Sequence, residues 1–213
     1  MPNLLIADDH TIIRTGLKMI IENFLPDCKI DEAHDGDSAF EKISNHEYDL
    51  TIMDINMPNT NSFELIKTIL ILKPETKILM YSMNTEEIYA KRFLKIGVMG
   101  YLRKDESESE IKKAINLVLN NKRYISVELT EKLVHDLYTV NQSTNPFDKL
   151  SPREFEIVQH LIEGESVGDI SQKLKLHTST VGTYKARIFE KLKCNNVIYL
   201  SKLTQDHNVA FCF

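Results

Sequence analysis

A short apolar run that ends in acidic residues opens the chain, where residues 3–9 read NLLIADD. A similar run returns at residues 50–54, LTIMD, and further apolar runs lie at 78–81 and 100–102. Strands that read as nearly continuous Leu, Ile, Val and Met are usually buried on both faces, as in a parallel sheet covered by helices. These runs therefore predict an α/β domain.

Segments with apolar residues at helical spacing separate the strand-like runs. Residues 11–25, for example, place Ile13, Leu17 and Phe24 on one face. Five strand–helix units predict a doubly wound, five-stranded parallel sheet, with functional residues at the carboxyl ends of its strands. The predicted strands are 3–7, 29–33, 50–53, 78–81 and 100–102, and the predicted helices are 11–25, 38–45, 63–72, 86–96 and 110–119.

Composition restricts the protein class before any motif is considered. The 213 residues, 42% hydrophobic and 27% charged, are typical of a soluble protein with one or two domains. No apolar run reaches the ~18 residues of a membrane span, and the first residues lack the basic segment of a signal peptide. The three cysteines form no CxxC pattern, which argues against a disulfide scaffold and a zinc knuckle. We therefore expect a cytoplasmic protein without membrane contacts.

Three carboxylates follow two strands that are neighbours in a sheet of this kind. Asp8 and Asp9 follow the first strand, and Asp54 follows the third. Two unit charges ~4 Å apart repel by about 4 kcal/mol at an effective dielectric constant of 20, so such a cluster needs a neutralising cation or protons. Mg²⁺ prefers oxygen ligands of this type. Because successive strand residues point in opposite directions, we expect that Asp8 and Asp9 do not both bind the ion directly.

Two further polar residues end strands at the same edge of the sheet. Ser82 ends the fourth strand and Lys104 the fifth. A carboxylate can act as the nucleophile of phosphoryl transfer, and Mg²⁺ with Lys104 would neutralise the phosphoryl oxygens. Each residue taken alone is compatible with a helix cap or a surface lysine, but the joint arrangement favours a phosphoryl-transfer site.

Residues 2–123 resemble the receiver domain of two-component response regulators. The resemblance rests on the segments ADDH at 7–10, MDINMP at 53–58 and GYLRKD at 100–105, and on Ser82. It implies that Asp54 is the phosphoacceptor and that Ser82 and Tyr101 are the switch pair. It also implies that Asp9, Asp54 and the backbone carbonyl of Asn56 bind Mg²⁺ directly, whereas Asp8 acts through water.

The last third of the chain predicts a separate helical domain. Residues 140–146 are polar and unpatterned, as in a linker. Four short helices follow, at 152–163, 167–174, 179–192 and 197–205, and the spacing of the middle two predicts a helix-turn-helix. We therefore predict a receiver-like domain at 1–123, a linker with one helix at 124–147 and a smaller all-α domain at 148–213.

Charge supports a nucleic-acid partner for this second domain. The chain carries a net charge of −5, yet the segment 168–193 contains six basic residues and only two acidic ones. Residues 148–208 also resemble the LuxR-type DNA-binding domain of the NarL/FixJ class, through LSPRE at 150–154 and TVGTY at 180–184. The resemblance implies that 179–192 is the recognition helix and that the last helix dimerises. The predicted DNA-contacting residues are Thr180, Gly182, Thr183, Tyr184, Lys185, Ala186 and Arg187.

Together these features predict a response regulator rather than a multiple-turnover enzyme. A sensor histidine kinase would phosphorylate Asp54, with Mg²⁺ as cofactor, and the phosphorylated homodimer would bind double-stranded DNA and control transcription. Two alternatives remain open. One is a phosphohydrolase, although Asn56 stands where such an enzyme would carry a second carboxylate. The other is an interaction protein whose helix-turn-helix does not bind DNA.

Overall fold

A computed structural model describes residues 1–58, 60–83, 86–138, 145–174, 176–207 and 209. Lys175 and residues 140–144 of the predicted linker lie outside these ranges. The chain divides into two compact units, Met1–Thr130 and Glu131–Phe213. The finer division at 123 and 147 stays a prediction.

The first unit is built on a five-stranded parallel sheet, which confirms the predicted fold class. Its strand order is β2-β1-β3-β4-β5. The strands are β1 (Asn3–Ala7), β2 (Lys29–Ala33), β3 (Leu50–Met53), β4 (Ile78–Ser82) and β5 (Gly100–Arg103). The helices between and after them are α1 (Thr11–Phe24), α2 (Gly36–Asn45), α3 (Ser62–Leu72), α4 (Glu86–Ile96) and α5 (Glu108–Leu119).

Alternate strand residues face opposite layers of helices. Leu4 and Ile6 of β1 pack in one core with Leu17 of α1 and Ile115 of α5. Leu5, between them, is fully buried and points to the other face. Burial on both faces explains why these strands read as continuous apolar runs.

Local capping sets the helix starts, some of which differ from the predicted ones. Helix α2 begins at Gly36 rather than 38, because Asp35 and Ser38 form a reciprocal capping box. Helix α5 begins at Glu108 rather than 110, because the Ser107 hydroxyl accepts from the Glu110 amide. These caps lie before the first apolar residue of each helix, so hydrophobic periodicity alone places the starts too late.

The second unit is helical, as predicted. Helix α6 (Val127–Tyr138) spans the boundary between the units. A 3₁₀ turn at Pro146–Lys149 was not predicted. The remaining helices are α7 (Pro152–Ile162), α8 (Val167–Lys173), α9 (Thr178–Leu192) and α10 (Val197–Asp206). Within the described residues, none of the helices is both long and apolar enough to span a bilayer.

Candidate functional site

The acidic residues converge where β1 and β3 end side by side. Ala7 pairs with Met53 in the sheet, and the Asp54 amide donates to the Ala7 carbonyl over 2.8 Å. The residues that follow the two strands therefore meet at one edge. Potential ligand atoms of Asp8, Asp9, His10 and Asp54 all lie within 4.8 Å of one another.

Lys104 joins two of these carboxylates. Its ammonium lies 2.6 Å from Asp8 Oδ2 and 2.9 Å from Asp54 Oδ2. The three side chains are at least 94% buried, so solvent screens the pairs little. The Lys104 amide donates to the Ser82 carbonyl over 3.0 Å, which places the residue directly beyond the β4–β5 pairing.

Burial makes the charges in this pocket interdependent. It raises the pKa of Asp54, an effect that the nearby Lys104 ammonium opposes and the Asp8 carboxylate reinforces. Burial alone would lower the pKa of Lys104, but Asp54 and Asp8 outweigh it, and the pKa is raised. Lys104 therefore stays charged, whereas burial disfavours the ionised form of Asp54 beside it.

Backbone amides orient the two buried carboxylates. Asp8 Oδ1 accepts from the His10 amide at 2.8 Å, and Asp54 Oδ1 accepts from the Ile55 amide at 2.7 Å. The Asn56 amide also donates to Asp54, while the Asn56 residue itself is exposed. His10 was assigned no role from the sequence, yet its Nδ1 lies 2.8 Å from Asp9 Oδ1.

The donor set fits a small divalent cation. Asp8 Oδ2 and Asp9 Oδ1 are buried oxygens for which the described residues supply no hydrogen bond of suitable geometry, although Lys104 and His10 lie within ion-pair distance. Clustered carboxylate oxygens of this kind suit a hard ion such as Mg²⁺. Asp8 and Asp9 both place a potential ligand oxygen in this cluster, since β1 ends at Ala7 and the two residues lie beyond the strand. The expectation that they do not both bind the ion directly stays a prediction.

Ser82 and Tyr101 lie next to one another on neighbouring strands. Ser82 is fully buried, and Tyr101 is 1% exposed with its side chain hydrogen bonded to that of Ser82. Burial raises the pKa of Tyr101 well above its ordinary range. The Tyr101 ring is therefore held inside the domain, against the Ser82 side chain.

Helix α9 presents a polar face and an apolar one. Val181, Ile188 and Leu192 are buried among the neighbouring helices, whereas Gly182 and Arg187 are exposed. Of the other predicted DNA contacts, Thr183 and Ala186 are exposed, and Thr180, Tyr184 and Lys185 are half-buried. The Thr183 hydroxyl donates to the Ser179 carbonyl over 2.9 Å. This donor is already in use within the helix.

Two lysines of the basic stretch form ion pairs with glutamates of the same domain. Lys191 Nζ lies 2.6 Å from Oε2 of the buried Glu154, and Lys173 Nζ lies 2.6 Å from Glu165 Oε1. Both glutamates precede position 168 in the sequence, so a count over 168–193 misses them. The exposed positive charge of the stretch is therefore smaller than the local sequence indicates.

Two family models together match most of the chain. Residues 4–116 match the response regulator receiver domain. Residues 148–202 match the bacterial regulatory proteins of the luxR family. The two matches coincide with the acidic pocket and with the helix-turn-helix.

Relatives match the chain over nearly its whole length. The response regulator GacA of Pseudomonas viridiflava is 31% identical over 99% of this chain and 98% of its own length. UvrY of Escherichia coli K12 is 29% identical over 99% and 96%. A structure of RcsB from Salmonella enterica serovar Typhimurium, bound to promoter P1flhDC with the phosphomimetic BeF3⁻, covers 96% of this chain and 98% of its own, with 25% identity and a TM-score of 0.74.

Proposed function

This chain belongs to the response regulators of the NarL/FixJ class, which join a receiver domain to a LuxR-type domain, and on that premise we propose how it works. A sensor histidine kinase phosphorylates Asp54 with Mg²⁺ in the acidic pocket. The phosphorylated protein binds double-stranded DNA as a homodimer in the cytoplasm and controls transcription. The observation that carries the proposal is the buried Asp54 carboxylate, which lies 2.9 Å from the Lys104 ammonium and within 4.8 Å of carboxylate oxygens of Asp8 and Asp9.

Phosphoryl transfer makes one bond and breaks one. An Asp54 carboxylate oxygen attacks the phosphorus of a phosphohistidine, an O–P bond forms, and the P–N bond breaks. The leaving imidazole takes up a proton from solvent. Asp8, Asp9, Asp54 and the Asn56 carbonyl would hold Mg²⁺, which when bound neutralises charge on the transferring group.

Lys104 changes partners in the proposed phosphorylated state. It now pairs with Asp54 at 2.9 Å, and phosphorylation replaces that single negative charge by a dianionic group. The ammonium then binds a phosphoryl oxygen, and the Ser82 hydroxyl donates to another. Because Ser82 is hydrogen bonded to Tyr101, its new bond alters the Tyr101 environment at the β4–β5 edge.

The exposed face of α9 supports the DNA-binding part of the proposal. Gly182, Thr183 and Ala186 provide a surface of small side chains flanked by the basic Lys185 and Arg187. Small side chains allow close approach to base edges in a major groove, and basic ones contact phosphates. The RcsB structure bound to promoter DNA has a similar fold, and we infer the same class of ligand here.

Labelling with acetyl phosphate and Mg²⁺ tests the phosphoacceptor. Intact-mass measurement is expected to show one phosphoryl group on the wild type and none on Asp54→Asn. Asp37→Asn, which changes an exposed aspartate in the first turn of α2, is the matched control and is expected to be labelled normally. Labelling of Asp54→Asn at the wild-type level would contradict the proposal.

Anisotropy titrations with fluorescent genomic fragments, paired with sizing, test the output. Wild type treated with acetyl phosphate and Mg²⁺ is expected to elute as a dimer and to bind DNA more tightly than identically treated Asp54→Asn. Multiple-turnover release of phosphate from small phosphate esters would instead favour the phosphohydrolase. Absence of DNA binding in both states would favour the interaction protein.

A further inference from the structure

The guanidinium of Arg14, in the first turns of α1, contacts the backbone of the acidic pocket. Arg14 Nη1 donates to the carbonyl oxygen of Asp8 over 2.7 Å. Asp8 is the first residue beyond β1, where the chain leaves the sheet. The arginine therefore fixes the peptide that joins Asp8 to Asp9.

This peptide controls where both carboxylates point. Along a strand, successive side chains alternate between the two faces of the sheet. Asp8 and Asp9 nevertheless place ligand oxygens within 4.8 Å of each other, and Asp9 lies in a bend beyond the end of β1. A bond to the Asp8 carbonyl holds this arrangement in place, since rotation of that peptide would turn the Asp9 side chain away.

Two other residues hold the guanidinium in its position. Arg14 Nε donates to Glu32 Oε2 at 3.0 Å, and Arg14 Nη2 donates to the Thr11 hydroxyl at 3.2 Å. Each nitrogen of the planar fork thus has its own partner, an arrangement that an ammonium group cannot reproduce. The Arg14 side chain is only 12% exposed, and Glu32 offsets its charge.

We propose that Arg14 is a positioning residue of the divalent-cation site and sets its affinity through the Asp8 carbonyl. The inference rests on the proposed function, in which this pocket holds Mg²⁺. Outer partners of metal ligands typically change metal affinity by about 10- to 100-fold when removed. Arg14 acts on the backbone between two of the acidic side chains rather than on the ion.

Electrostatics and positioning predict opposite effects of removing this residue. Loss of a cation near an anionic pocket should tighten the binding of a divalent ion. Loss of the bond to the Asp8 carbonyl should weaken it. The sign of the change therefore distinguishes the two, and Arg14→Lys, which keeps the charge but not the fork, separates them further.

The test is a titration of the full chain with Mn²⁺, in which the electron paramagnetic resonance signal of free Mn²⁺ measures how much of the ion is bound. The site that is lost in Asp54→Asn identifies the pocket. Arg14→Met and Arg14→Lys are expected to weaken Mn²⁺ binding at that site about tenfold. Lys18→Ala is the matched control. Lys18 lies 3.7 Å from the same Glu32, so this substitution also removes one positive charge near Glu32. Its affinity is expected to equal that of the wild type or exceed it slightly.

Acetyl-phosphate labelling gives a second measurement. The half-saturating Mg²⁺ concentration is expected to rise in Arg14→Met by the same factor, while the rate at saturating Mg²⁺ stays at the wild-type level. Glu32→Gln, which keeps Arg14 itself, is expected to raise the half-saturating Mg²⁺ concentration by a smaller factor and to leave the rate at saturating Mg²⁺ unchanged. Unchanged or tighter Mn²⁺ binding in Arg14→Met overturns the positioning role even when the wild type is labelled on Asp54. A wild type that is never labelled instead refutes the phosphoacceptor proposal.

Discussion

The Ser126 hydroxyl donates a 2.6 Å hydrogen bond to the carboxylate of Glu86, which is 91% buried at the first residue of α4. The same hydroxyl accepts from the Leu129 amide over 3.0 Å in the first turn of α6. Helix α4 follows the strand that carries Ser82, and α6 leads out of the first unit. One side chain therefore joins the start of α4 to the start of α6.

Ser126→Ala is expected to destabilise the first unit. It removes the donor to a buried carboxylate and the acceptor for the α6 amide, changes that each cost about 1 kcal/mol or more. We expect a loss of about 2 kcal/mol in the free energy of unfolding, measured by urea denaturation. Ser109→Ala, at an exposed serine of α5, is the control and should change it little. Equal stability of Ser126→Ala and wild type would show that the bond contributes nothing net.

Glu86 makes stability depend on pH. Burial raises its pKa, the Ser126 bonds oppose this, and the Glu106 and Glu128 carboxylates raise it further. The pKa of Glu86 in the folded state exceeds the unfolded value of about 4.3. The favourable contribution of Glu86 to folding stability is therefore complete below pH ~4.3 and is lost as the pH rises through the folded pKa. Glu86→Gln is therefore expected to unfold at a higher temperature than the wild type at pH 8 and at a similar temperature near pH 4. Circular dichroism melting across this range measures it, with the exposed Glu75→Gln as control; a constant difference at all pH values would contradict the ionisation argument.

Asp54→Asn is expected to be more thermostable than the wild type when EDTA removes divalent cations. Burial raises the pKa of Asp54, so its ionised form disfavours the folded state at neutral pH. We expect a rise in Tm of about 4 °C, the shift that ~1 kcal/mol produces in a domain of this size. Added Mg²⁺ should raise the Tm of the wild type more than that of the variant, because only the wild type retains all the proposed Mg²⁺ ligands. A lower Tm for the variant in EDTA would show that the Lys104 pair outweighs burial.

Lys185 and Lys191 of α9 are expected to give different phenotypes. Lys185→Ala should weaken DNA binding at all sequences and lower the dependence of log K on log salt by about 1, as expected for one lost phosphate contact. Lys191→Ala should instead lower the free energy of unfolding by about 2 kcal/mol, because the buried Glu154 carboxylate loses its ammonium partner and keeps the Ser151 amide on Oε2. Salt titrations of DNA affinity and urea denaturation, run on both variants, measure the contrast. An unchanged salt slope in Lys185→Ala would rule out the phosphate contact.

Tyr101→Phe is expected to leave phosphorylation intact. The Tyr101 hydroxyl is hydrogen bonded to the Ser82 side chain and is not among the groups proposed to bind the cation or the phosphoryl group. Its loss should cost about 1 kcal/mol of stability. The rate of acetyl-phosphate labelling should match that of the wild type, while the gain in DNA affinity on labelling should shrink. If Tyr101→Phe lowered the labelling rate by as large a factor as it lowered the gain in DNA affinity, Tyr101 would act in the transfer step itself.

Sequence patterns predicted most of the fold because they report on burial. Strands such as Leu50–Met53 are buried on both sides, and the resulting apolar run is visible without any coordinates. The convergence of Asp8 with Asp54 was predictable for a related reason: both follow strands, and parallel strands end at one edge. Helix starts were less accurate, because caps such as Asp35 and Ser107 are polar and lie outside the apolar periodicity.

The amino-acid sequence by itself therefore predicted the α/β sheet, the position of its acidic pocket and the presence of a helix-turn-helix. Tertiary structure alone decided which charges neutralise one another and which residues hold the pocket. Lys191 meets a glutamate 37 positions away, Ser126 meets Glu86 across 40, and Arg14 reaches a backbone carbonyl that no residue pattern records. Periodicity encodes how each element faces the core, whereas the pairing of distant polar groups depends on the packing of whole elements and on side-chain geometry at ångström scale.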